Sequence, residues 1–197
     1  MSDPNKYEDK EQGTNSNDVI KSYDNSSSVI VGLDGSDKIY AGAKDDLVIG
    51  GDGNDLIVGG KGNDVLKGGH GNDTMRGGTG DDVLLASHGD NRMHGGADND
   101  RLIIGSGKNV VSGGSGEDKF VFTDKFGGHG NSTVLDFNAD EDILMFSSES
   151  VQSLSDLEIS YDARGNAMFS NGEDVTVKVK GLTQEEVEAH GSDLFVF

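Results

Sequence analysis

Cysteine is absent from the 197 residues, so disulfides do not hold the chain together and thiolate zinc and redox chemistry are excluded. Basic residues are scarce: 16 Lys and Arg stand against 36 Asp and Glu, a formal charge of -20. That sign excludes nucleic acid as a partner. It also makes a compact body repel itself, so something positive should join the folded state. Proline occurs once beside 31 glycines, which fits neither a collagen nor a proline-rich linker. No apolar run approaches the ~18 residues of a membrane span. Residues 1–13 are polar and lack the apolar core of a cleaved secretion signal.

A nine-residue period dominates what is there. Gly50-Gly51-Asp52-Gly53-Asn54-Asp55-Leu56-Ile57-Val58 returns as Gly59-Gly60-Lys61-Gly62-Asn63-Asp64-Val65-Leu66-Lys67, and again from Gly68 and Gly77. Held in frame, it runs from Gly32 to Val121, ten units without an insertion. The eighth position is apolar in every unit: Ile39, Val48, Ile57, Leu66, Met75, Leu84, Met93, Leu102, Val111 and Phe120. The sixth is Asp37, Asp46, Asp55, Asp64, Asp73, Asp82, Asn91, Asp100, Asn109 and Asp118.

Glycines at the first, second and fourth positions suit a tight turn with φ > 0 and close backbone approach. The last three residues suit a very short strand whose middle side chain points inward. One apolar residue in nine cannot make a core alone, so stacking must supply it. If successive strands lie on opposite sides, two units make one 18-residue coil. Five coils then stack at about 4.8 Å per step into a parallel roll. Such a thin core does not easily offset backbone ordering of roughly 1–2 kcal/mol per residue, and the aspartates stack in register with like charge. A hard cation between the loops answers both problems.

The unit resembles the calcium-binding nonapeptide of RTX (repeats-in-toxin) proteins, over about residues 32–122. The resemblance implies calcium between loops two units apart, held by sixth-position carboxylates of both loops and completed by glycine-loop carbonyls. Oxygen-only, six-fold or higher coordination suits that ion. Carried onto this chain, one edge stacks Asp46, Asp64, Asp82, Asp100 and Asp118 and offers four inter-loop sites. The other stacks Asp37, Asp55, Asp73, Asn91 and Asn109. It offers two good sites, one compromised at Asn91, and one lost between two amides. The expectation is about six strong calcium sites and up to two weak ones. Loop glycines expected to contribute are Gly51, Gly53, Gly60, Gly62, Gly69, Gly71, Gly78, Gly80, Gly96, Gly114 and Gly116. Lys44 and Asp98 replace fourth-position glycines, and Leu33, Ser87 and the unit from Ile104 also depart from the pattern.

The flanks suggest the boundaries. Residues 1–16 read as a disordered leader, 17–31 as degenerate N-terminal capping coils, 32–122 as the roll, and 123–197 as a C-terminal antiparallel β cap with one short helix. The expected fold class is thus all-β. Cap strands are expected at 157–161, 167–170 and 175–179, with turns at 163–166 and 171–172. Thr183 and Glu186 form a capping box. The segment after the roll, with Asp136-Phe137 and later Asp142-Ile143, resembles that of serralysin-type proteases and other type I secreted proteins. Asp136, Asp140 and Asp142 are candidates for one more calcium, or a solvated acidic turn. The ending Asp193-Leu194-Phe195-Val196-Phe197 resembles the uncleaved C-terminal signal of type I export substrates, or a final edge strand.

Catalytic constellations are missing from the sequence. There is no His-Glu-x-x-His, no Gly-x-Ser-x-Gly and no P-loop lysine motif. His70, His88, His94, His129 and His190 are scattered, and the repeat accounts for the paired carboxylates. The expectation is a non-enzymatic, secreted, calcium-triggered folding module that passes a type I exporter. The alternatives are a stand-alone adhesin or binder of extracellular polysaccharide or cell surface, or an accessory module of a larger enzyme, as in mannuronan epimerases. Outward strand positions carry no regular Thr or Asn array, which sets ice binding aside.

Overall fold

The computed structural model describes residues 9–22, 26–123, 130–147, 149–172 and 175–197. Among them the chain coils into two sheets, one of nine strands and one of ten, parallel throughout except at the C-terminal end of the second. The first sheet stacks Ser28–Asp34, Leu47–Asp52, Val65–His70, Val83–Ala86, Arg101–Ile104 and Lys119–Thr123. The second stacks Lys38–Ala43, Leu56–Lys61, Thr74–Thr79, Arg92–Ala97 and Val110–Ser115. Within these strands each repeat residue pairs with its counterpart 18 residues on: Leu47 faces Val65, and Val65 faces Val83. Two nonapeptides therefore make one coil, as the alternation of loop and strand requires.

The inward residues form two facing columns. Ile39, Ile57, Met75, Met93 and Val111 line one wall, and Val48, Leu66, Leu84, Leu102 and Phe120 the other; none is more than 3% exposed. Their strand neighbours point outward because side chains alternate across a pleat. Parallel sheets leave no hairpin to close locally, so nearly every stabilising contact joins residues a full coil apart.

The roll is longer than the ten regular units. At its start, Val19–Lys21 pairs with Lys38–Ala43, so the degenerate coils do continue the stack. The leader ends earlier than the sequence suggests: Asp9–Gln12 forms a parallel strand on Ser28–Asp34, while residues 1–8 lie outside the described residues. At the far end, Ile143–Ser147 and Phe195–Val196 extend the first sheet, and Gly130–Val134 followed by Val175–Val179 extends the second. Among the described residues, only Glu158–Tyr161, Ala167–Ser170 and Val175–Val179 pair antiparallel. The cap is thus continuous with the roll, with helix Gln184–His190 started by the Thr183–Glu186 capping box. The described C-terminal residues stack on the end of the roll.

Leu84 lies at the middle of one inner column and is fully buried, whereas its neighbour Leu85 faces outward. Leu84→Ala should cost about 2–5 kcal/mol of stability, and Leu85→Ala on the order of 1 kcal/mol or less. Urea unfolding in saturating calcium measures both.

Candidate metal edges

The turns between the two sheets form the long edges of the roll. Second-position glycines Gly51, Gly60, Gly69, Gly78, Gly96 and Gly114 have φ between 113° and 136°. Fourth-position Gly53, Gly62, Gly71, Gly80 and Gly116 have φ between 110° and 138°. Each coil lies so close to the last that a methyl group on Gly51 would come within 1.8 Å of Leu33 O, and one on Gly53 within 1.7 Å of Gly35 O. The loop carbonyls therefore point along the stack. Leu33, Lys44 and Asp98 adopt positive φ without being glycine (82°, 76° and 77°), at the positions where the sequence breaks the pattern.

First-position glycines differ from the expectation. Gly50, Gly59, Gly68, Gly77, Gly95 and Gly113 do not have positive φ. They are glycine to make room: a methyl group at any of them would lie 2.0–2.3 Å from Oδ2 of the aspartate five residues later.

The sixth-position residues form two ladders. The main-chain N–H of Asp46 donates to Asp64 Oδ1 at 2.8 Å, that of Asp64 to Asp82 at 2.8 Å, and those of Asp82 and Asp100 to the next carboxylate at 2.9 Å. On the other edge, Asp37 donates to Asp55, Asp55 to Asp73, Asp73 to Asn91, and Asn91 to Asn109, at 2.8–3.1 Å. One oxygen of each carboxylate is thereby used. The other is not: Oδ2 of Asp37, Asp55, Asp64, Asp73, Asp82 and Asp100 is buried without a hydrogen-bond donor. A buried acceptor in that state costs about 1–3 kcal/mol, and more when charged.

The electrostatics agree. Burial pushes the Asp64 and Asp100 carboxyls up to about 8, although a main-chain N–H on each opposes the shift; stacked aspartates such as Asp82 add to it. Burial likewise raises Asp55, Asp82 and Asp118 to about 6. Among the described residues, no three His, Asp or Glu side chains converge on one point. An ion held here would take carboxylates from two coils and main-chain carbonyls from the loops. That donor set is all oxygen, which suits calcium rather than a softer metal.

The ladders reach beyond the repeats. The N–H of Asp18 donates to Asp37 Oδ1 at 2.8 Å, and that of Asp118 to Asp142 Oδ1 at 3.0 Å. Asn17-Asp18-Val19-Ile20 and Asp142-Ile143-Leu144 carry the sixth-to-eighth pattern without its glycines, the signal by which both are recognisable. Asp142 thus stacks as one more rung. Asp136 accepts the Gly113 N–H at 3.0 Å and its charge helps raise the Asp142 carboxyl, whereas Asp140 lies at the surface 3.8 Å from His190 Nε2, so the three candidate ligands do not all gather.

A solenoid of short parallel strands with acidic, glycine-lined edges defines a class: the parallel β-roll whose turns hold cations. Four copies of the RTX calcium-binding nonapeptide repeat match residues 31–66, 49–84, 67–102 and 86–120. Residues 31–120 therefore carry RTX calcium-binding nonapeptide repeats, and such repeats bind calcium. Its fold is similar to that of the extracellular lipase LipA from Serratia marcescens, with a TM-score of 0.53 and 16% identity. That match covers 94% of this chain but only 39% of the lipase. The AlgE6R3 subunit of the Azotobacter vinelandii mannuronan C5-epimerase aligns over 94% of this chain and 80% of its own, with 20% identity but a TM-score of 0.33, too loose an overlay to argue from. A comparison with curated proteins finds no match to this chain.

Raised carboxyls carry a definite pH signature. The native state binds more protons than the unfolded one between about pH 4 and the folded values of about 6 and 8, so calcium-free stability falls as pH rises through that window. Calcium-stripped protein should gain β structure at pH 5 relative to pH 8 by far-UV circular dichroism. With calcium saturating, the order should reverse, because protons then compete with the ion.

Proposed function

We propose that this chain is a calcium-triggered folding module of a secreted protein, without catalytic activity of its own. The observation that carries this reading is the row of buried carboxylate oxygens with no donor, each folded back over the first glycine of its own loop. Asp46, Asp64, Asp82, Asp100 and Asp118 on one edge, and Asp37, Asp55 and Asp73 on the other, are the proposed ligands. Carbonyls of the glycine loops complete each shell.

The mechanism follows from the charge. Where calcium is scarce, like charge along each ladder opposes stacking, and the coils stay apart in a form that threads through an exporter. Outside, calcium at about 10⁻⁴–10⁻³ M lies in the affinity range of extracellular modules. Binding only the stacked state, it stabilises that state by mass action. The C-terminal residues support export by a type I route. In the folded chain Phe195–Val196 is an edge strand with Val196 and Phe197 about 40% exposed, so a signal there is fully legible only before the roll closes. The similarity in fold to an extracellular lipase is consistent with this setting.

A second reading has one observation behind it. In a chain of charge -20, the outer face of the second sheet gathers Arg76, Arg92 and His94 around a shallow groove with Thr74 and Ser112. That chemistry fits a carboxylate-bearing extracellular polysaccharide. If it binds one, Arg76→Ala with Arg92→Ala should weaken retention on immobilised polyuronate at least tenfold, and salt should do the same to the unmodified chain. Retention unchanged by either removes this reading.

Calcium titrated into the stripped protein should produce a cooperative gain of β signal in far-UV circular dichroism. Asp64→Asn, at the middle of the unbroken edge, should shift the midpoint to higher calcium. A chain already folded without metal and indifferent to it would make the repeats a purely structural solenoid.

A further inference from the structure

Asn91 and Asn109 occupy ladder positions but are not weak copies of aspartate. Their Oδ1 atoms accept the N–H groups of Asp73 and Asn91, as an aspartate Oδ1 would. Their Nδ2 atoms therefore sit where an aspartate has Oδ2, and each turns back into its own loop. Asn91 Nδ2 donates to His88 O at 3.1 Å, to Gly89 O at 2.9 Å and to Asn109 Oδ1 at 3.0 Å. Asn109 Nδ2 donates to Gly105 O at 3.2 Å and to Ser106 O and Gly107 O at 3.4 Å. In an aspartate loop that place holds a buried oxygen without a donor, which a cation or a proton must satisfy. In these two loops the amide supplies the positive end itself.

The first repeat position changes with the sixth. Where the sixth residue is Asn91 or Asn109, the first is Ala86 or Ile104, both buried. In the glycine-first units that space belongs to the carboxylate, whose Oδ2 lies 2.0–2.3 Å from the place a methyl would take. An amide engaged with its own loop frees it for a core side chain. Ala41 ahead of Asp46 shows that alanine alone does not forbid aspartate there.

We propose that the Asn91 and Asn109 side-chain amides replace calcium in their loops, making this stretch of the mixed edge a calcium-independent seam in an otherwise calcium-dependent roll. The proposal rests on the reading that the aspartate loops bind calcium. It allots ions to the four successive aspartate pairs from Asp46 to Asp118 and to the two from Asp37 to Asp73, and none between Asp73 and Asn109.

The test has two independent parts. Equilibrium dialysis with radioactive calcium counts ions on the full chain: six are expected in the repeats, and Asn91→Asp, which pairs a new carboxylate with Asp73 beside the tolerant Ala86, should add one. In excess chelator, hydrogen exchange read by mass spectrometry should show residues 86–112 at least tenfold better protected than residues 50–82. No ion gained by Asn91→Asp in a folded chain, or equal exchange of both stretches in chelator, overturns the seam and leaves the calcium reading intact. No bound ion at all overturns the calcium reading, and the exchange comparison still decides whether the amide loops close unaided. If Asn91→Asp does not fold, the ion count and exchange of the unmodified chain suffice.

Discussion

Everything in this roll depends on placing a buried carboxylate every 18 residues directly above another. The short strands cannot be longer without losing the turn, and the turn cannot be sharper without glycine. The sixth residue closes that turn by accepting an N–H from the coil before it. A carboxylate does this well with one oxygen and leaves the second buried beside carbonyls. Burial and like charge then push the group toward protonation. The fold is therefore incomplete as protein alone, and its stability is tied to whatever neutralises the edge.

The fifth position shows that stacking by itself does not demand an ion. On the aspartate edge its side chains run Asp45, Asn63, Asp81, Asn99, Glu117, so that acids and amides alternate. Here too the side chain of one coil receives an N–H of the next, as Asn63 accepts from Asp81 and Asp81 from Asn99. Asn63, Asp81, Asn99 and Glu117 are exposed and Asp45 is half-buried, and no two acids are adjacent in the column. The sixth column of the same edge is buried and wholly acidic. Two ladders a residue apart thus differ in the property that decides whether metal is required. A chain selected only to stack would have alternated both.

Most of the roll was legible because its period is long and uninterrupted. The inward column, the two edges and the 18-residue register all follow from reading every ninth residue. What was not legible depends on the third dimension. The first-position glycine looks like a conformational residue but is a spatial one, because nothing in the sequence shows that Asp55 swings back over Gly50. Asp18 and Asp142 lie outside the glycine frame, so their stacking was hidden although their apolar followers were visible. The C-terminal strands read correctly as strands, but their parallel attachment to the roll is a long-range pairing that alternation cannot reveal.

The ends of the ladders make the logic of the middle plainer. Asp18 begins one ladder, and its Oδ2 accepts the Thr14 N–H at 2.6 Å and the Thr14 hydroxyl at 2.9 Å. Asp142 ends the other, and its Oδ2 accepts the Asn138 N–H at 2.8 Å. Within the mixed ladder, Asn91 and Asn109 answer the same need by turning acceptor into donor. The chain thus satisfies this position in four places, twice by supplying a donor to the carboxylate and twice by replacing its oxygen with an amide donor. For Asp37, Asp55, Asp64, Asp73, Asp82 and Asp100 it supplies none. A sequence able to satisfy this atom so readily, yet leaving six of them bare in adjoining coils, is arranged to be completed from outside. The order in which its parts become stable is then set by where the donors are already built in.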